Sequence, residues 1–289
     1  MQKVSNYSDL TRISYSIRKS IVKSLTAAGS GHTGESLALA DIFTSLYFNR
    51  MNHDPANPGW EGRDRLILSI KHVAPVLFAT LAHAGYFDLK ELYTLCKPGS
   101  RLQGFDAFDK NLPGVEPFAG STGQGLSIEV GMALAAKKDR KLFRIYSLHD
   151  EVEMQRSQIR EAALAAAHHK LDNLTTIVDC NGFRIDSKTS GGLNTEPLVS
   201  KWLAYGWNVV ECNGHNFSEL LSSLEKVTGI KGKPGLILTK TIPGKGIKTI
   251  ENDQLWYGKA PNHDEATEFL CQLDESLLMA LEELAKSDF

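Results

Sequence analysis

Two histidines stand where the chain turns into helices. His32 follows Ser30-Gly31 and precedes an apolar helical stretch. That setting suits contact with an anion, or a purely structural role at the start of the helix. His72 also precedes an apolar helix, with Lys71 beside it; a lysine in a dry pocket can be activated as a nucleophile. Asp150, Glu151 and Glu153 crowd three carboxylates behind an apolar run, which on its own reads as a solvated loop at a strand end. Gly120, Gly123 and Gly125 fix backbone shape whether or not anything binds there. Gly244-Lys245-Gly246 is basic and flexible, a stronger pattern for a surface turn than for a phosphate contact. His168 and His169 close an alanine-rich helix, where their positive character suits the helix dipole. The cysteines Cys96, Cys180, Cys212 and Cys271 form no C-x-x-C pair. They read as reduced, mostly buried thiols of a cytoplasmic protein.

The elements that must hold these residues follow from periodicity. Leu10, Ile13, Ile17, Ile21 and Leu25 make a helical stripe over residues 9–28. Further helices are expected at 36–48, 74–84, 126–137, 155–169, 195–205 and 217–227. Short apolar strands are expected at 66–69, 142–148, 175–179, 208–212 and 235–239. Two stretches, 52–65 and 97–125, are rich in Gly, Pro, Asn or Asp and read as loops. Strands alternating with helices imply parallel pairing with right-handed crossovers, hence an α/β fold with a doubly wound, mostly parallel sheet flanked by helices. Ligands of such sheets bind beyond the carboxyl ends of the strands.

The bulk properties narrow the field. The 289 residues are 42% hydrophobic and 23% charged, with a net charge of -2. That balance lacks the basic patch of a nucleic-acid binder. No apolar run approaches the ~20 residues needed to span a bilayer, and the polar start MQKVSNYSDL lacks a signal-peptide core. With no repeat or linker-like tract, one domain over 1–289 is expected.

Several segments, in order, resemble the N-terminal half of the transketolase family. They are Ser30-Gly31-His32-Thr33-Gly34-Glu35-Ser36, Arg63-Asp64-Arg65, Ser69-Ile70-Lys71-His72 and Pro113-Gly114-Val115-Glu116. Gly120-Ser121-Thr122-Gly123-Gln124-Gly125, Lys170-Leu171-Asp172-Asn173-Leu174 and Asp179-Cys180-Asn181-Gly182 follow, then Gly244-Lys245-Gly246 and Gly258-Lys259-Ala260-Pro261. The likeness is collinear from about residue 10 to 265, and fits better than deoxyxylulose phosphate synthase or a 2-oxo acid dehydrogenase.

The resemblance implies a thiamine diphosphate-binding fold, a site shared with a second polypeptide, and transfer of a two-carbon ketol unit between sugar phosphates or related carbonyl compounds. It implies catalytic and cofactor contacts at His32 and His72, and cofactor contacts at Gly120, Thr122, Glu151 and Asn181. It also implies a magnesium ligand set at Glu151, Asn181 and Phe183. The partner would be a transketolase C-terminal-like subunit, two of each forming a heterotetramer. No nucleic-acid or membrane partner is expected.

The sequence departs from the family pattern at the site. Where the family has G-D-G-E stand Asp150-Glu151-Val152-Glu153, with Asn181 in register thirty positions after Glu151. Two channel histidines are replaced by Phe105 and Tyr257, a glycine by Lys71, and a charge-relaying glutamate by Arg156. A pairing of Lys71 or Arg156 with Glu151 or Glu153, in the metal's place, is one expectation. Alternatives to ketol transfer are a subunit that has lost thiamine diphosphate, or a thiamine-independent reaction in the same cleft through Lys71 or His72.

Overall fold

The structure is a computed structural model that describes residues 3–103, 112–116, 121–182 and 197–287. Helix α1 (Tyr7–Ala28) starts at Asn6, whose side chain accepts from the Asp9 amide, and stops at Gly29 with φ of 69°. That left-handed cap suits a residue without a Cβ. Its buried stripe includes Leu10, Ile17, Ile21 and Leu25, as the spacing requires. The next helix, expected at 36–48, begins earlier and is broken. It comprises α2 (Thr33–Ala38), α3 (Ala40–Thr44) and a π-helical turn at Ser45–Arg50.

Strand β1 (Arg65–Leu68) leads through a tight turn at Lys71–Val73 into α4 (Ala74–His83). Then come α5 (Gly125–Lys138), β2 (Ile145–Asp150), α6 (Ser157–His168) and β3 (Leu174–Cys180). The chain continues through α7 (Leu198–Ala204), β4 (Asn208–Asn213), α8 (Phe217–Gly229), β5 (Gly235–Lys240) and α9 (His263–Ser287). The second strand lies later than expected: Leu142 is 96% exposed and Asp150 belongs to the strand. The 25-residue α9 lies outside the expected elements; it buries Ala266, Phe269 and Leu273 and packs largely on α1.

Among the described residues, five strands run parallel in the order β1-β2-β3-β5-β4. Successive side chains in a strand point to opposite faces. Accordingly Leu66, Leu68, Tyr146, Leu148, Ile177 and Ile237 join the core under α1 and α4. Their neighbours Ile67, Ile145, Val178, Leu236 and Leu238 join a second core under α5, α6 and Trp207. Burying each such aliphatic side chain is worth ~1.5–3 kcal/mol, so both faces anchor the strand ends.

No helix among the described residues is long and apolar enough to cross a membrane. The four cysteines form no disulfide, and Cys96 and Cys271 are exposed rather than buried. Cys96 occupies a tight turn with φ of 56°, which turns its side chain away from the core.

Candidate functional site

The carboxyl ends of β1, β2, β3 and β5 converge on one cleft. After β1 the turn presents Ser69 and His72; β2 ends on Asp150, and β3 carries Asp179 near its end with Asn181 just beyond. Asp150 and Asp179 are register partners across the two strands. Thr241, after β5, donates its hydroxyl to Asp179 Oδ1, and Asn181 Nδ2 donates to Asp179 Oδ2 at 2.7 Å.

Opposite them, His32 stands at the start of α2. Its Nδ1 lies 2.9 Å from Glu35 Oε1, and its ring is 4.8 Å from that of His72 and 5.2 Å, edge-on, from Tyr257. Three contacts hold this wall. The Thr33 amide and hydroxyl donate to Lys259 C=O at 3.3 and 2.6 Å. The Gly244 amide donates to Gly34 C=O at 2.8 Å. Trp256 packs edge-on against Phe269 of α9. The Gly244-Lys245-Gly246 segment is thus a buttressing turn, and Lys245 pairs with Glu251.

The electrostatics are dominated by carboxylates. Burial lifts Asp150 to about 6, and the Glu153 charge adds to it. Burial lifts Asp179 to about 7; Asp150 and Glu35 add to this, while hydrogen bonds from Thr241 and Asn181 oppose it. Tyr257 is raised well beyond an ordinary phenol by burial, then by Glu35, Asp150 and Asp179. His72 is lowered to about 4, by burial first and the neighbouring His32 second. At neutral pH His72 is therefore a neutral imidazole and Tyr257 an intact hydroxyl.

Beneath the cleft lies a fully buried triad. His149 Nδ1 meets Glu153 Oε2 at 3.0 Å and its Nε2 meets Glu129 Oε1 at 2.9 Å. The two carboxylates raise His149 to about 10 against burial, so the ring carries a positive charge. Glu153 Oε1 also accepts from Ser69 Oγ and the Gly123 amide, both at 2.7 Å.

The residues anticipated from sequence fare unequally. His32 and His72 meet across the cleft, and Asn181 is tied to its edge. Glu151 is half-buried, with its amide on Asp179 C=O at 3.2 Å. Thr122 is exposed in the turn before α5. Gly120, Phe183 and Phe105 lie outside the described residues. The expectation for Glu153 is corrected: its charge is met by His149 from within β2, not by Lys71 or Arg156. Arg156 is exposed, and its stem lies over Gly123.

Sequence reasoning missed Glu35, Glu129, His149 and Asp179. Glu129 and His149 are twenty residues apart on different elements, so no spacing links them. His149 alternates with Leu148 in β2, which was a readable sign that it faces the α5 side.

A separate cavity of about 590 Å³ opens between α1, the loop after β4 and α9, lined in part by Tyr15, Arg18, Asp41 and His215. Arg18 holds Asp41 through two bonds of 3.0 and 2.6 Å. His215 Nδ1 lies 2.8 Å from the same carboxylate, and its Nε2 accepts from the Ile242 amide at 2.8 Å. The arrangement joins α1, α3 and the loops after β4 and β5, and contains none of the cleft residues.

Comparison with known proteins agrees with this architecture. Residues 10–273 match the family described as the transketolase, thiamine diphosphate binding domain. The chain is 40% identical over 256 residues to the 6-deoxy-6-sulfo-D-fructose transketolase subunit SqwG of Clostridium sp. (strain MSTE9), covering 89% of this chain and 90% of that one. It is 38% identical to one of the subunits of the apulose-4-phosphate transketolase of Actinobacillus succinogenes, covering 90% and 94%. The crystal structure of Campylobacter jejuni transketolase superposes with a TM-score of 0.84 at 29% identity, over 98% of this chain and 48% of that one. The chain thus spans about half the length of the solved transketolase and nearly the whole of the separate subunits. It belongs to the transketolase family, as an N-terminal, thiamine diphosphate-domain subunit of the split kind.

Proposed function

We propose that the chain acts as the N-terminal subunit of a two-polypeptide transketolase-type transferase. With a separate C-terminal subunit it moves a two-carbon ketol unit between sugar phosphates or related carbonyl compounds. Two observations support this reading. The chain aligns along nearly all its length with proteins named as transketolase subunits, and its fold brings His32 and His72 together at the carboxyl edge of the sheet. The relatives' names point to a sulfonated or phosphorylated ketose as the substrate class. Two such chains and two partners form the assembly, in a cytoplasmic setting that suits cysteines without disulfides.

Thiamine diphosphate, when bound, supplies the carbanion chemistry of this family. The fit of this cleft to it is uneven. Asn181, whose side-chain amide is oriented by its hydrogen bond to Asp179, and the carboxylate of Glu151 are oxygen donors of the kind a hard cation such as Mg²⁺ takes. Phe183 would complete the set that the family pattern implies. The diphosphate end is different. The Glu153 amide is taken by Asp150 Oδ1 at 2.7 Å and the Gly123 amide by Glu153 Oε1, so two backbone donors face the chain's own carboxylates. Glu35, Asp150 and Asp179 add repulsion. Among the described residues, no lysine or arginine ion pair offsets Asp150 or Asp179. Among the described residues these capped amides and carboxylates oppose a magnesium-held diphosphate at that end of the cleft, and no step is assigned to it. What the chain's own residues contribute is clearer. Neutral His72 can accept a proton or hydrogen bond from a substrate hydroxyl, His32 is oriented by Glu35, and the Tyr257 hydroxyl can donate a hydrogen bond.

The capped amides favour a second reading, in which the protein keeps its fold and partner surface but has given up thiamine diphosphate. Calorimetric titration of thiamine diphosphate with Mg²⁺, into the chain alone and with its C-terminal partner, separates the two. Saturable, metal-dependent binding supports the first reading. Absence of heat with a folded complex removes the thiamine mechanism and leaves the second.

A further inference from the structure

Among the described residues, one group of side chains has the make-up of a metal site: His32, Glu35 and His72, whose candidate ligand atoms all lie within 4.8 Å of one another. We propose that these three residues bind a divalent transition-metal ion of the zinc class, with a fourth position left for water or a substrate oxygen. The inference goes beyond ketol transfer and does not rest on it.

Four observations carry it. The first is the donor set: two imidazoles and one carboxylate suit zinc or cobalt, whereas magnesium and calcium prefer all-oxygen surroundings. The second is geometry. His32 Nδ1 and Glu35 Oε1 already stand 2.9 Å apart, close to the ~3.3 Å edge of a tetrahedron with metal–ligand bonds of ~2.0 Å. The ion takes the place between them, with the ring N–H carried on Nε2 of His32, and His72 closes in by side-chain rotation from the facing turn.

The third is an orphaned atom. Glu35 is 2% exposed, and its Oε2 has no hydrogen-bond partner among the described residues. A buried carboxylate oxygen left unpaired is costly, and a cation bound beside it removes that cost. The fourth is the field: Asp150 and Asp179 bear on the same space as Glu35, so the cleft favours a cation before any ligand enters. Tyr257, edge-on to His32, and the Thr33–Lys259 bonds hold the imidazole wall in place, as groups around a metal ligand must.

The test uses the full-length chain, stripped with chelator and free of thiamine diphosphate. Zn²⁺ alone is titrated by calorimetry, and Co²⁺ is used as a visible-absorption probe of coordination. The expected result is one ion per chain, a tetrahedral Co²⁺ spectrum, and no displacement by excess Mg²⁺. Glu35→Gln keeps the shape and a hydrogen bond to His32 but removes the charge, and His72→Ala removes a ligand. Each weakens Zn²⁺ binding by at least about 100-fold, since even groups that merely orient ligands are worth ~10–100-fold.

The two adjacent surface histidines that close α6 provide the control. His168→Ala with His169→Ala leaves the tight site unchanged. The proposal is overturned if the folded wild type binds no Zn²⁺, if Glu35→Gln and His72→Ala bind as tightly as the wild type, or if only the His168/His169 variant loses binding. Because thiamine diphosphate is absent, none of these outcomes bears on the ketol-transfer reading.

Discussion

Replacing Glu153 by glutamine tests the buried triad beneath the cleft. The wild-type carboxylate accepts from Ser69 Oγ, the Gly123 amide and His149, in a site with no solvent exposure. Glutamine has the same shape, and its oxygen retains the Ser69 and Gly123 bonds. Its amide must face His149 Nδ1, so the ring has to lose that proton and accept. His149 then remains bonded to Glu129 as a neutral imidazole.

The magnitude follows from two bounds. Removing one member of a buried ion pair costs ~3–5 kcal/mol when the other charge is stranded. Here the histidine can discharge, so a smaller loss of ~2 kcal/mol is expected. The pH dependence carries the sharper signature. His149 in the folded chain is raised from 6.5 to about 10, so the protonated ring favours the fold. That stability is fully present below pH 6.5 and is lost as pH rises through about 10. At ~1.4 kcal/mol per pH unit, the interval sets an upper bound of ~5 kcal/mol.

The other charged groups facing the ring are Glu129 on α5, Asp150 at the end of β2 and Glu153 in the turn that follows it. Of these, Glu153 is held low chiefly by His149 against burial, and it stays ionised across this window. Urea denaturation of wild type and Glu153→Gln at pH 6, 7, 8, 9 and 10, followed by far-ultraviolet circular dichroism, measures the difference. The gap between the two proteins should be largest near pH 6–7 and shrink towards pH 10. Cys212, raised by burial, titrates in both proteins and cancels. A gap that stays constant from pH 6 to 10 would refute the charged-histidine account.

Three further outcomes are expected. Gly125→Ala puts a Cβ 2.3 Å from Ser69 Oγ and 3.2 Å from His149 Cε1, so it should cost ~1–3 kcal/mol by overpacking, visible as a lower urea midpoint. Arg18→Met strands the buried Asp41 with only His215; a loss of ~3–5 kcal/mol is expected, and a change under ~1 kcal/mol would contradict a buried ion pair. In metal-free protein, the His72 ring proton followed by nuclear magnetic resonance should hold its shift from pH 8 to 5 and move only near pH 4, the direction that burial dictates. A midpoint near 6.5 would show that His72 is solvated.

The sequence alone determined the parallel α/β sheet, because strand and helix periodicities alternate with short loops and only parallel pairing with crossovers satisfies that pattern. It also determined the family, since short motifs recurring in register over about 255 residues leave little freedom. The same motifs place His32, His72 and Asn181 where the structure has them, at the carboxyl edge of the sheet. Boundaries were less so: β2 runs to Asp150 because hydrogen bonding with β3 continues there, which hydropathy does not report. The broken helix at Leu39 and the docking of α9 on α1 depend on what each face meets.

The character of the cleft was decided only in three dimensions. Glu35, Asp150 and Asp179 are far apart in the chain, and their mutual repulsion exists only because α2, β2 and β3 bring them to one space. His149 is an ordinary strand residue until Glu129 and Glu153 close on both its nitrogens. Charge interactions depend on distance and desolvation rather than on order along the chain. The sheet could therefore be read from pattern, while the charge state of what it holds could not.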